Sequence, residues 1–272
     1  MVDNIHILGI LNLTPDSFFP GSRVATDDFS GRFRKMLSDG ADAIDLGACS
    51  TRPGAPQPSE EEEWRRLEPA LRQIAGLAEG ARRVSIDTYR SGIVRRAYGI
   101  IGPFMVNDIS AGAMDPAMME TVAGLGLPYV AMHMRGTPET MQQHTDYEDV
   151  VEEVNAYFDA FSARAEAAGL KDWILDPGFG FSKTLEQNWA LLEHLDEIQT
   201  HGRELLVGLS RKSMIYKKLG ITPEEAMPAT QVVQFEALRK GARWLRVHDV
   251  PEAIQTARLY STMYTSSPGA EK

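Results

Sequence analysis

Short runs of apolar, largely β-branched residues recur along the chain, each followed by a longer stretch whose apolar positions return every three or four residues. The strand-like runs fall at 5–11, 43–46, 84–86, 104–106, 129–132, 173–175, 205–207 and 244–247. The helical stretches fall at 27–38, 60–79, 90–99, 115–124, 147–168, 185–194, 224–240 and 250–262, the fifth being the longest and most periodic. A near-continuous apolar run marks a strand buried on both faces, and a helix packed on one side repeats at about 3.6 residues. Eight alternating units predict an α/β fold, a parallel sheet closed into a single-domain (β/α)8 TIM barrel. An open doubly wound sheet usually has fewer strands and a glycine-rich first turn, but here that turn reads Asn12-Leu13-Thr14-Pro15-Asp16. Residues 1–265 are expected to form the barrel and 266–272 a frayed tail, with no linker or low-complexity segment between two domains.

The length of 272 residues suits one such barrel, for which about 250 is typical. A formal net charge of −10 and the lack of a basic cluster interleaved with aromatics argue against nucleic acid as a partner. An anionic small substrate would then be held by a few local cations, against the overall field. Cys49 is the only cysteine, so no intramolecular disulfide is possible, and the first residues lack the pattern of a secretion signal. A cytoplasmic location is expected. No apolar run reaches the roughly 18 residues of a membrane span. The acids Glu60 to Glu63 open a helix, where they complement its dipole, and are expected to form a solvated face.

Active sites of β/α barrels lie at the C-terminal ends of the strands, and every predicted strand here ends in polar residues. In order they are Asn12 and Asp16; Asp45 with Ser50, Thr51 and Arg52; Asp87; Asn107 and Asp108; His133 and Arg135; Asp176; Ser210, Arg211 and Lys212; and Arg246, His248 and Asp249. Asp, Asn or Ser in such a place often only caps the next helix, a reading that suits Asp115 and Asp249. Capping needs one small polar residue per helix and does not account for several carboxylates, an asparagine and several cations at one mouth.

Particular segments suggest chemistry. In Ser50-Thr51-Arg52-Pro53-Gly54-Ala55, hydroxyls, backbone N–H groups and the planar Arg52 fork suit a pyrophosphate. In Ser210-Arg211-Lys212-Ser213, Lys212 can donate to a carbonyl or ring nitrogen and Ser213 to a carboxylate, while Arg211 is equally read as a structural ion-pair member. Asp176 can accept both adjacent N–H donors of an amino-pyrimidinone edge, and Asn107, with donor and acceptor in one amide, can read a mixed edge beside it. The glycines after Asp176 allow close backbone approach, and Phe181 is read either as an aromatic cover or as core. Asp87 can accept from a ring N–H. His133 is read as a hydrogen-bonded structural histidine. His248 lies two residues from Arg246, on the same face, within reach of a diphosphate.

The segments ILGILNLTPDSF, DLGACSTRPGA, SIDTYRS, VNDISAG, MHMRGTPETM, DPGFGFSKTLEQN, VGLSRKSM and LRVHD, between Ile7 and Asp249, together resemble the signatures of the dihydropteroate synthase family. The resemblance implies a folate-biosynthetic transferase that condenses hydroxymethyl-dihydropterin pyrophosphate with para-aminobenzoate, releasing pyrophosphate by a dissociative route. Residue by residue, it implies a pterin pocket of Asp87, Asn107, Ile109, Met132, Asp176, Lys212 and Arg246. It implies pyrophosphate held by Asn12, Thr51, Arg52, Arg246 and His248, with Asn12 on Mg2+, and a catalytic set of Asn12, Asp16, Arg52, Asp87, Lys212, Arg246 and His248. Thr51, Pro53, Phe181, Lys212 and Ser213 would shape the para-aminobenzoate site. A cytoplasmic homodimer formed through barrel helices, and membership of a sulfonamide-targeted class, are implied in the same way.

Two positions depart from the family pattern: Pro20 stands where most members have Asp, near the added charge of Arg23, and Cys49 stands where many have Glu. Two rival readings remain at this stage. A methyltransferase acting between methyltetrahydrofolate and a corrinoid uses a similar barrel but needs no pyrophosphate clamp. A degenerate barrel that binds pterin without turnover draws support from Pro20.

Overall fold

A computed structural model describes residues 4–13, 29–49, 57–77 and 83–264. Along the chain run β1 (His6–Asn12), α1 (Phe29–Ser38), β2 (Ala43–Gly47), α2 (Glu60–Ala75), β3 (Val84–Asp87), α3 (Ser91–Ile101), β4 (Met105–Asp108), α4 (Met118–Leu125), β5 (Tyr129–Met132) and α5 (Val150–Ala167). There follow β6 (Trp173–Asp176), α6 (Leu185–Glu193), β7 (Leu205–Val207), α7 (Ser213–Leu219), α8 (Met227–Arg239), β8 (Ala242–Val247) and α9 (Val250–Tyr264). The strands pair in parallel, in chain order, and β1 closes on β8 to complete the barrel.

All eight expected strands are present, with small shifts at their ends. β8 begins at Ala242 rather than 244, and β4 at Met105 rather than 104. Helix α4 starts three residues later than expected. Asp115 organises the turn ahead of it, accepting from Ala117 N at 2.9 Å and from Ser91 N at 2.7 Å. Helix α7 was not expected: its seven residues bury only Met214 and Ile215 before Gly220 stops it in the left-handed region. That is too short a stretch for helical periodicity to register. Residues 265–272, which include the expected tail, lie outside the described residues.

Successive side chains of a strand point to opposite faces, and the alternation divides the core in two. Residues such as Ile7, Leu11, Ile44, Leu46, Ile86, Val106, Leu175 and Val207 face outward, joining the buried faces of the helices in one large cluster. The other set faces the barrel axis, where Leu8, Ala43, Val130, Ile174 and Leu206 pack together, with Met105 and Trp244 against them. This inner layer is a plug of side chains, so the barrel is filled rather than hollow.

One surface expectation fails. Glu63 was placed on a solvated face, but it is 1% exposed and ion-paired with Arg90. The helix opens at Ser59, whose hydroxyl accepts from Glu62 N. From there Glu63 falls on the same side as Leu67 and Ala70, which face the barrel, and the Arg90 guanidinium makes its burial tolerable. Arg90 also donates to Pro58 O at 2.5 Å and lies 3.8 Å from Cys49 Sγ. Burial and the neighbouring Glu63 push the Cys49 thiol well above its usual range, so it is unreactive as a thiolate.

Candidate active site

A step of two residues along a strand keeps a side chain on the same face. Two residues beyond Ala43, Met105, Val130, Ile174 and Trp244 of the inner apolar layer stand Asp45, Asn107, Met132, Asp176 and Arg246. The barrel interior therefore turns from apolar to polar and charged in a single layer. The strand register adds Asp87 to the same end, beside Gly47 on one side and Asn107 on the other. Outward alternation explains why Asp108 is absent from this group. Its carboxylate is consumed by the following turn, accepting from Tyr129 OH at 2.6 Å, Ser110 N at 2.7 Å and Gly112 N at 2.9 Å.

Arg246 is the hub of the polar layer. Its Nε lies 2.7 Å from Asp45 Oδ2 and its Nη2 lies 2.8 Å from Asp87 Oδ2. Asn107 Nδ2 donates to the same Asp45 oxygen at 3.0 Å. Burial opposes the charge on Arg246, but the two carboxylates outweigh it and raise its pKa. Asp87 is raised from the usual carboxylate range by burial, against the pull of Arg246 and with repulsion from Asp45. Asp176 is raised by the same desolvation, with Lys212 and the Gly178 N–H opposing it.

The segment after β6 wraps tightly over this layer. Asp176 Oδ1 accepts from Gly178 N at 2.8 Å. Gly178 has φ +72° and sits against the end of β5, where a Cβ would come within 2.0 Å of His133 O, so no other residue fits without moving the chain. Lys183, 3% exposed, points back under the loop and reaches His133 Nδ1 at 2.9 Å, Gly178 O at 3.1 Å and Phe181 O at 3.2 Å. The three hydrogens of one ammonium match these three acceptors. Burial pushes Lys183 down to about 7. Lys212 approaches from the other side: its ammonium donates to Phe179 O and lies 4.7 Å from the centre of the Phe181 ring. Burial lowers Lys212 to about 8, with Asp176 opposing the shift.

The remaining sequence-predicted residues sort by position. Ile109 and Met132 form an apolar wall with Tyr89, Met134 and Met141, and Phe181 packs against it. His248 lies just past β8, with its backbone N–H at 3.2 Å and its Nδ1 at 3.1 Å from Ser210 Oγ. Burial and the adjacent Arg246 push His248 down to about 4, so its imidazole is neutral near pH 7. Ser213 begins α7 beside Lys212. Asn12 ends β1, next to Gly47. Arg211 takes its structural role: it forms a two-pronged pair with Asp249, Nε to Oδ2 at 2.8 Å and Nη2 to Oδ1 at 2.9 Å. Asp249, read as a helix cap, spends both oxygens on that pair. His133 is hydrogen-bonded and, through burial first and Lys183 next, held well below its ordinary value, as suits a structural histidine. Asp16, Pro20, Arg23, Ser50, Thr51, Arg52 and Pro53 lie outside the described residues.

Sequence reasoning missed Lys183 and left Asp45 without a role. A lysine just after a glycine-rich turn looks like a surface residue, and only the fold of that turn directs it inward. The sole available signal was its place seven residues after Asp176, in the segment Asp176-Pro177-Gly178-Phe179-Gly180-Phe181-Ser182-Lys183.

Residues 8–248 match the family model for pterin binding enzymes. Dihydropteroate synthase of Escherichia coli strain K12 is 41% identical over 257 residues, which cover 93% of this chain and 90% of that protein. The crystal structure of Yersinia pestis dihydropteroate synthase in a sulfonamide drug complex superposes with a TM-score of 0.90 at 36% identity, covering 98% of this chain and 96% of that one. The Thermus thermophilus enzyme in complex with 4-aminobenzoate gives a TM-score of 0.83 at 40% identity, covering 97% and 96%.

The buried Lys183 carries a pH signature. Its pKa is about 7 in the folded chain against 10.5 for a free lysine, so between those values the unfolded chain binds more protons. By linkage, stability contributed at this site rises with pH across that window. Comparing urea unfolding of the wild type with Lys183→Met, the difference in unfolding free energy should shift in favour of the wild type by roughly 1–4 kcal/mol between pH 7 and pH 10. A difference independent of pH would contradict the burial of a titrating ammonium here.

Proposed function

The chain belongs to the pterin-binding enzymes and, among them, to the dihydropteroate synthases, and on that premise we propose how its barrel mouth carries out the reaction. Enzymes of this family are folate-biosynthetic transferases that join hydroxymethyl-dihydropterin pyrophosphate to para-aminobenzoate, giving dihydropteroate and pyrophosphate. The observation that carries the proposal is the convergence of Asp87, Asn107, Asp176, Lys212 and Arg246 in one polar layer above an apolar plug. Asp176 accepts from the amino-pyrimidinone edge, Asn107 reads the mixed edge beside it, and Asp87 accepts from a further ring N–H. Ile109 and Met132 bound the ring with apolar surface. Lys212 keeps hydrogens to donate to the ring besides the one spent on Phe179 O.

The pyrophosphate end meets Arg246 and His248. With His248 neutral, the fixed positive charge that the described residues bring to this end belongs to Arg246. Charge developing on the leaving group is met by donors already in place, which is where preorganised electrostatics contribute most. Once the C–O bond breaks, the electron-rich pterin bears the positive charge at its exocyclic methylene. The weakly basic aniline nitrogen then attacks and afterwards loses its proton. No strong base is needed. Phe181, Lys212 and Ser213 border the aminobenzoate; family resemblance adds Thr51 and Pro53 to that site, assigns Thr51 and Arg52 to the pyrophosphate, and counts Asp16 among the catalytic residues.

Asn12 fits Mg2+ as one neutral oxygen ligand. Its Oδ1 lies over Gly47, where a Cβ would approach to 3.2 Å, and its side chain makes no hydrogen bond among the described residues. Mg2+ commonly takes few protein oxygens and fills its shell from phosphates and water. When bound, it would neutralise charge on the departing pyrophosphate. The test is pyrophosphate release by the purified chain given both substrates. Release should require Mg2+ and both substrates, and Arg246→Met should lower it by at least about a hundredfold; no release with all three present would contradict the proposal.

We further propose that the chain acts as a cytoplasmic homodimer. Its single cysteine is consistent with that compartment, and no helix among the described residues is long and apolar enough to cross a membrane. On α8 and α9, Val232 is 71%, Leu259 61% and Met263 63% exposed, beside a Phe235, Tyr260 and Tyr264 aromatic cluster. A second copy burying this apolar face satisfies the two-fold symmetry of most homo-oligomers. Sedimentation should give twice the chain mass for the wild type and a shift toward the single-chain mass for Val232→Glu combined with Met263→Glu. A wild type that sediments as a single chain at micromolar concentration would contradict the assignment.

A further inference from the structure

Asp45 is fully buried, and one of its oxygens does two jobs. Oδ2 accepts from Arg246 Nε at 2.7 Å and from Asn107 Nδ2 at 3.0 Å, while Oδ1 is buried without a hydrogen-bond partner among the described residues. The neighbouring inward position on β3, Ser85, has a hydroxyl that is likewise buried and unpartnered among them. Such an arrangement is costly for stability, because a buried carboxylate oxygen without a donor loses its hydration. The placement is explained if Asp45 serves the two groups on its other oxygen.

An ionised carboxylate only accepts hydrogen bonds. Facing it, the Asn107 amide must present its nitrogen, and the amide cannot flip without setting Oδ1 against Oδ2. With one amide hydrogen committed, Oδ1 and the second hydrogen have fixed places, and the amide reads a ligand edge in one polarity only. The same oxygen seats Arg246 so that its Nη2 meets Asp87, 2.8 Å away. These contacts join strands β2, β3, β4 and β8, so one side chain sets the donor and acceptor pattern of half the mouth.

We propose that Asp45 is a positioning residue that fixes the amide polarity of Asn107 and the seat of Arg246, and through them the preference for the heterocycle edge. This inference rests on the pterin-binding reading given above. Asp45→Asn can keep both bonds, since its amide oxygen can occupy the Oδ2 place and its nitrogen the unpartnered one. Asp45→Leu removes the acceptor altogether.

Calorimetric binding of the pterin pyrophosphate to the intact chain separates the possibilities, with thermal unfolding followed in parallel. Asp45→Asn should bind within about threefold of the wild type and Asp45→Leu at least about tenfold more weakly. Placed on an Asn107→Ala background, Asp45→Leu should lose the part of its effect that passes through that amide and keep the part that passes through Arg246. The proposal is overturned if Asp45→Leu binds as the wild type does, if its penalty is undiminished without the Asn107 amide, or if Asp45→Asn folds yet loses tenfold. The Asp45→Asn comparison decides the matter alone if Asp45→Leu does not fold. A wild type that binds no pterin would defeat the functional reading instead.

Discussion

The pair of contacts by which Arg246 bridges Asp45 and Asp87 is the constraint on which the site depends. All three groups sit at the top of a barrel whose lower interior is apolar, where an unpaired charge would be prohibitively desolvated. Each charge is tolerable because the others are present. The cost of such a cluster is repaid in definition more than in stability: Asn107, which borrows the same Asp45 oxygen, is held with it. The cluster around Arg246 comes from four strands in register, so the closure of the barrel and the geometry of the site are the same fact.

A second device holds the roof. Two lysines grip three carbonyls of the turn after β6, Lys183 taking those of Gly178 and Phe181 and Lys212 that of Phe179. The first also ties the turn to His133, just past β5, and the second presents its ammonium against Phe181. The Gly178 N–H of the same turn donates to Asp176, while the Gly180 N–H goes to Asn188 Oδ1. The Asp176 carboxylate is thereby held from both ends, by its strand and by its own turn. Rigid supports of this kind are what allow hydrogen bonds to discriminate between substrates.

The barrel was legible in the chain because parallel strands buried on both faces leave compact apolar runs, and polar residues at their ends stand out against them. Asn107, Asp176 and Arg246 could be read that way, each two residues past an apolar inward position. Asp45 has the same spacing, but its role depends on registers that bring β2, β4 and β8 together, and no local pattern records them. Lys183 and Glu63 were hidden for a related reason: each is a charged residue in a segment that looks solvent-facing, and each is buried by a tertiary partner. Helix α7 carries too few turns for periodicity to show. The motif resemblance implies the reaction, whereas geometry alone identifies only a cationic and carboxylate-lined mouth suited to an anionic heterocycle.

The reading of the site stands on the buried Asp176 carboxylate at the end of β6 accepting from paired N–H donors of the pterin, and the affinity of Asp176→Asn for pterin decides it. The amide would set a donor against a donor while keeping shape and volume. Isothermal titration calorimetry should show binding weakened by about 1–3 kcal/mol relative to the wild type. Unchanged affinity in a variant with an unchanged fold would contradict the account.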